Sequence, residues 1–155
     1  MSNQACQAYL QALTKSITMQ TYFTMPIPTA IVVIGCGNPA LIPHYKAVTQ
    51  CPFPIFADPS RQLYKQLGMS LSLNVLGGGR PQYMKQVSPP AWLAGQIKQV
   101  SKTKGMKKRI TGGNWMQIGG EFLFENGEIR WCHRMKNYRG HAEIDVLRRI
   151  LEIDK

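Results

Sequence analysis

Acidic residues are scarce in this chain. It has 8 Asp and Glu against 19 Lys and Arg in 155 residues, a formal net charge of +11. Such a balance points to attraction for nucleic acid, anionic lipid or acidic partners and says nothing about fold. No apolar run approaches the roughly 20 residues that a membrane span requires. The N-terminus lacks the basic region and unbroken apolar stretch of a signal peptide, and it is not Arg-rich as a transit peptide is. A cytoplasmic location without membrane association is therefore the expectation. The four cysteines, Cys6, Cys36, Cys51 and Cys132, form no Cys-x-x-Cys pair and no zinc-type spacing, so each reads first as a buried thiol. There is no internal repeat, and the length and the 44% hydrophobic content suit one globular domain spanning 1–155.

What is present alternates between helical and extended patterns. Cys6, Tyr9, Leu10, Leu13 and Ile17 share one stripe, with Gln7, Gln11 and Lys15 off it, which predicts a helix over 4–17 with Ser2 and Asn3 as its only caps. Thr18 to Pro28 reads as a connector. Ala30 to Ile34 is a β-branched run suited to a strand buried on both faces of a parallel sheet. Asn38 and Pro39 can then open a helix to about Gln50. Ile55 to Ala57 predicts a short strand and Ser60 to Leu67 a helix that Gly68 stops. Met69 to Pro90 reads as a long loop, and Ala91 to Val100 as a helix. Phe122–Phe124 and Ile129–Cys132 flank Glu125-Asn126-Gly127-Glu128, a strong hairpin signal because both central residues of a type I′ turn need positive φ. A last helix begins near His141, with Ile144, Leu147 and Leu151 at helical spacing.

Several constellations invite a chemical reading. Gly35-Cys36-Gly37-Asn38-Pro39-Ala40 matches G-x-G-x-x-A after a strand, and Asp58 follows at the distance of a ribose-binding acid. A dinucleotide fold needs more strand–helix units than remain here, so a glycine-assisted turn is the better reading and no cofactor is expected. The basic run Lys98 to Arg109 could track phosphates, but it lacks interleaved aromatics for base stacking, which makes nucleic acid an unfavoured partner. Cys132, His133 and His141 are close in sequence but offer no fourth ligand, and Cys132 and His133 would face opposite sides of a strand, so no metal is expected. His44 reads as a surface histidine. Cys6 lies in the first turn of its helix, where the dipole favours a thiolate; membership of the apolar stripe explains it equally well.

Taken together, three segments resemble the thioredoxin-like AhpC/TSA antioxidant proteins, in particular their peroxiredoxin-like branch and its fungal members. These are Ala30–Gly37, Cys51–Ser60 and Leu63–Met69, and Gly119–Phe124, His133–Met135 and Gly140-His141 extend the match. The resemblance implies an α/β, thioredoxin-like fold: a mixed sheet closed by the antiparallel hairpin and the C-terminal helix. It also implies a thiol peroxidase or oxidoreductase acting on a small peroxide or disulfide with a thiol reductant. A second copy of the chain is a candidate partner. Cys6 aligns with the family's second, resolving cysteine, and Asn3 stands where its first, attacking cysteine belongs. Arg134 becomes a candidate for stabilising a thiolate or an anionic substrate, against the plainer reading of a surface arginine at a strand end, and His141 reads as a helix-start residue and not as a base. The family's strand leading into the cysteine pair is missing, which suggests an N-terminally incomplete domain with a gap between the 30–34 and 122–124 strands. The competing reading is a non-catalytic thioredoxin-like scaffold with a basic surface.

Overall fold

The computed structural model describes residues 4–72, 81–84 and 116–154. The expected helix over 91–100, the basic run over 98–109, most of the 69–90 loop and Asn3 lie outside them.

The first helix, α1 (Gln4–Ser16), forms where the stripe predicts it. It buries Tyr9, Leu10 and Leu13, and Ile17 just beyond its end is fully buried. Gln7 is also buried, although its polarity placed it off the stripe. Leu10, Leu13 and Ile17 join Cys51 and Phe53 in the core, and Tyr45, Ile55, Ile144 and Leu147 pack against them from three other segments. The expected connector contains a one-turn helix, α2 (Met19–Phe23), whose first turn is capped by the Thr18 hydroxyl accepting from Thr21 N–H.

Strand β1 (Val33–Gly35) pairs in parallel with β2 (Ile55–Ala57), in the register Val33↔Ile55 to Gly35↔Ala57. The β-branched run is not buried on both faces as its composition suggests. Ile31 and Val33 turn toward the core, whereas Val32 and Ile34 are 47% and 39% exposed. The run therefore behaves as a half-buried strand, with the two-residue alternation of a pleat. Between the two strands, Asn38 caps a single 3₁₀ turn at Pro39–Leu41 that continues into α3 (Ile42–Thr49). After β2 the Asp58 carboxylate accepts from the N–H groups of Gln62 and Leu63 at the start of α4 (Gln62–Gln66). The acid at ribose-binding distance is therefore occupied as a helix cap. Its pKa is held low by the Ser60 hydroxyl first and by these N–H groups.

Strand β3 (Gly120–Glu125) and β4 (Glu128–Arg134) form the hairpin. Asn126 and Gly127 both take positive φ, as a type I′ turn requires. The register shifts between Leu123, opposite Trp131, and Phe124, opposite Ile129. That β-bulge leaves Arg130 as the extra residue. Among the described residues the two strand pairs are separate two-stranded sheets. The last helix, α5 (Ile144–Ile150), begins three residues after His141 and lies on the core through Ile144 and Leu147. Arg148 ties it to α1 through the Ser16 carbonyl at 2.6 Å and pairs with Asp154. No helix among the described residues is long and apolar enough to cross a membrane.

At the base of the hairpin, a Cβ on Gly120 would sit 2.5 Å from the His133 carbonyl oxygen. Strand backbone cannot yield as a side chain can, so Gly120→Ala should destabilise the domain by about 1–3 kcal/mol, read by urea denaturation. A variant as stable as the parent would show that the strands part there at no cost.

Candidate functional site

Four segments distant in sequence meet at Cys6. The cysteine is the third residue of α1, and Tyr9 follows one turn later on the same helix. Glu121 is the second residue of β3, and His141 lies between β4 and α5. Tyr83 comes from a 3₁₀ turn at Gln82–Met84.

Nε2 of His141 lies 3.4 Å from Sγ of Cys6, and Nδ1 lies 2.6 Å from Oε1 of Glu121. Oε2 of the same carboxylate accepts the Ala142 N–H at 3.0 Å. The side chains of His141 and Glu121 are only 11% and 13% exposed, while Cys6 is half-buried. The three groups form a thiol–imidazole–carboxylate chain, with the carboxylate fixed at both oxygens. Tyr9 stacks on the imidazole, with ring centres 4.1 Å apart and planes 7° from parallel. Tyr83 closes the cluster edge-on to Tyr9, at 5.1 Å, and its hydroxyl donates to the Arg139 carbonyl.

The loop carrying His141 is pinned on both sides. Asn137 Oδ1 accepts from Arg139 N–H, and the Asn137 carbonyl accepts from Gly140 N–H. The His133 ring hydrogen-bonds the Gly140 carbonyl at 2.7 Å. His133 thus acts on the site by positioning its neighbour. His141 is no helix-start residue; Glu143 stands at the helix cap, and the imidazole points to Cys6 and Glu121.

Burial is the largest single influence on His141 and disfavours its charged form. The adjacent Cys6 sulfur and the Glu121 carboxylate outweigh it and hold the imidazole up to about 9, against 6.5 for an ordinary histidine. Beside a Cys6 thiolate the ring is therefore held as an imidazolium. Burial, reinforced by Glu121, pushes the Tyr9 phenol up, so its hydroxyl stays neutral. That hydroxyl is buried without a hydrogen-bond partner among the described residues. Tyr9 serves the site through its ring and not through its oxygen.

Arg134, the other residue singled out from sequence, is engaged elsewhere. Its guanidinium donates to the Leu67 carbonyl at 2.7 Å and to Cys132 Sγ at 3.2 Å, and lies over the Phe122 ring. The thiol it contacts is that of Cys132. Cys132, His133 and His141 each turn to a different partner, and among the described residues no His, Cys, Asp and Glu cluster could hold a metal ion.

Residues 18–137 match the model of the AhpC/TSA antioxidant enzyme family. The chain belongs to that family. Its mixed α/β architecture of small sheets and helices accords with the thioredoxin-like fold of AhpC/TSA proteins. Among curated proteins it is similar to Peroxiredoxin-like 2C of Takifugu rubripes, 26% identical over 145 residues, covering 92% of this chain and 62% of that protein. It is likewise similar to Peroxiredoxin-like 2C of Homo sapiens, 23% identical over 155 residues, with 96% of this chain and 63% of that protein covered. The protein of that name from Bos taurus gives 23% over 155 residues, covering 96% and 62%. This chain thus spans under two thirds of the length of the relatives it matches. No solved structure gives a significant match. The AhpC/TSA match takes in Glu121, His133 and Arg134, whereas Cys6 and His141 fall on either side of it.

Two outcomes follow from this geometry. The folded state binds a proton on His141 that the unfolded chain releases near 6.5. The stability this contributes is complete below that pH and is lost as pH rises through about 9. The stability gap between the parent and His141→Asn should narrow over that window in denaturation at a series of pH values; a constant gap would refute the charged imidazole. Tyr9→Phe removes a buried hydroxyl that has no partner among the described residues while keeping the stacked ring. It should raise stability by about 1 kcal/mol, and a loss would mean that the hydroxyl is satisfied in solution.

Proposed function

We propose that this chain is a peroxiredoxin-like, thiol-dependent redox protein in which Cys6 is the reacting sulfur. The observation that carries this reading is the Cys6–His141–Glu121 chain, a half-buried thiol whose sulfur is 3.4 Å from an imidazole set by a buried carboxylate. The thiolate is the nucleophile in peroxide reduction and in disulfide exchange alike. His141 can take the thiol proton at Nε2 and hold it beside the sulfur as an imidazolium, with Glu121 compensating the charge.

With a peroxide, the Cys6 thiolate would attack one peroxide oxygen. An S–O bond forms and the O–O bond breaks, leaving a sulfenic acid and an alkoxide or hydroxide. The Nε2 proton of His141 neutralises that leaving oxygen. An external thiol then displaces water from the sulfenic acid to give a mixed disulfide, and a second thiol restores Cys6. The proposed reductant is an external thiol because, by the family resemblance, Asn3 stands where the pattern has a partner cysteine. Cys6, resolving by alignment, would here be the sulfur that meets the peroxide.

At neutral pH Cys6 should react with iodoacetamide about tenfold faster than glutathione, and His141→Asn should abolish the difference. Peroxide consumption with a dithiol reductant should disappear in Cys6→Ser. If Cys6 alkylates no faster than glutathione and peroxide is not consumed, the chain is better described as a non-catalytic scaffold that keeps the family's shell.

A further inference from the structure

We propose that the Cys6–His141–Glu121 chain also transfers acyl groups, and that a small thioester is the substrate class it takes. The proposal rests on the same assignment of Cys6 as the reacting thiol but needs no oxidant. A charge beside the sulfur would suffice for disulfide exchange. The arrangement here holds more: Nε2 faces the sulfur while Nδ1 is tied to a carboxylate whose second oxygen is itself fixed by the Ala142 N–H. A nucleophile, a base and a group orienting that base, in hydrogen-bonding series, form the arrangement that recurs in covalent acyl transfer on unrelated folds. Stacking on Tyr9 fixes the ring plane, so the proton on Nε2 stays directed at the sulfur. Paired with the Cys6 thiolate, His141 carries a proton on Nε2, 3.4 Å from the sulfur, where it can be donated to a departing group.

The reaction closes in two steps. The Cys6 thiolate attacks the acyl carbon; its S–C bond forms, the substrate's C–S bond breaks, and the leaving thiolate takes the proton from Nε2. Water then gives a proton to Nε2 and attacks the Cys6 acyl group; the new C–O bond forms, the Cys6 S–C bond breaks, and the thiolate–imidazolium pair is restored. The sum is thioester plus water to carboxylic acid plus thiol, with no change of oxidation state. A thioester is favoured over an alkyl ester because one thiolate displaces another of similar basicity, so the first step is nearly balanced. Each proton movement uses the one nitrogen that lies 3.4 Å from the sulfur.

The experiment uses the full chain, reduced and free of peroxide, with S-acetyl-N-acetylcysteamine and, as a chromogenic probe, 4-nitrophenyl acetate. Acid quenching followed by peptide mass mapping should find one acetyl group, on Cys6 and not on Cys36, Cys51 or Cys132. Turnover should fall by about 100-fold or more in His141→Asn and by a smaller factor in Glu121→Gln, with the acetylated intermediate accumulating in both. The mapping needs no variant, so misfolding of a substituted chain does not affect it. Acetyl distributed over several cysteines, or an adduct on Cys6 that never hydrolyses in the parent, overturns the proposal. Peroxide consumption measured on the same sample separates the two readings. Peroxide reduction without acyl turnover removes only this proposal, and acyl turnover without peroxide reduction removes only the redox assignment.

Discussion

A carboxylate that is 13% exposed must be paired, because an isolated buried charge costs several kcal/mol. Glu121 is paired twice, with the His141 imidazole through one oxygen and the Ala142 N–H through the other. Much else depends on that carboxylate. It joins β3 to the segment entering α5, holds Nδ1 of the imidazole, and thereby directs Nε2 toward Cys6 at the start of α1. Three elements from opposite ends of the chain are held in one geometry by one side chain. Removing that side chain would leave a buried imidazolium facing a sulfur with no anion behind it.

The local elements were legible in the sequence because each is set by neighbours a few residues away. The α1 stripe, the Asn126-Gly127 turn and the spacing of Ile144, Leu147 and Leu151 are short-range patterns, and all three reappear in the structure. The one-turn helix at Met19–Phe23 escaped because five residues give too few turns to show a period, although its Thr18 cap was a readable sign. The β-branched run misled in the other direction. Its composition fits a strand covered on both sides, and only the tertiary arrangement determines which sides are covered.

The site was only half legible. Cys6 could be singled out from its place in a first helical turn, but it meets His141 across 135 residues of sequence, and no local pattern carries that information. Glu121 was passed over because an acid at a strand start resembles any surface residue. The usable signals were its neighbours: Gly120 permits close approach of β4, and Gly140 precedes the histidine. Arg134 shows the reverse case. The sequence offers it as a candidate partner of a thiolate or anionic substrate, and the thiol it contacts is Cys132, two residues away and on the same side of the same strand.

The β-bulge at Leu123–Phe124 has a consequence for chain length. A two-residue turn alone would place Cys132 across from Glu121; the extra residue Arg130 shifts the parity of β4 and puts His133 there instead. Cross-strand partners share a face, so the ring that clamps the Gly140 carbonyl lies on the same side as the carboxylate that holds His141. The hairpin tip is exposed and looks indifferent to insertion or deletion. In fact it sets the phase of the strand behind it. Losing one residue there would leave two good strands and a good turn, with His133 facing away from the loop it secures.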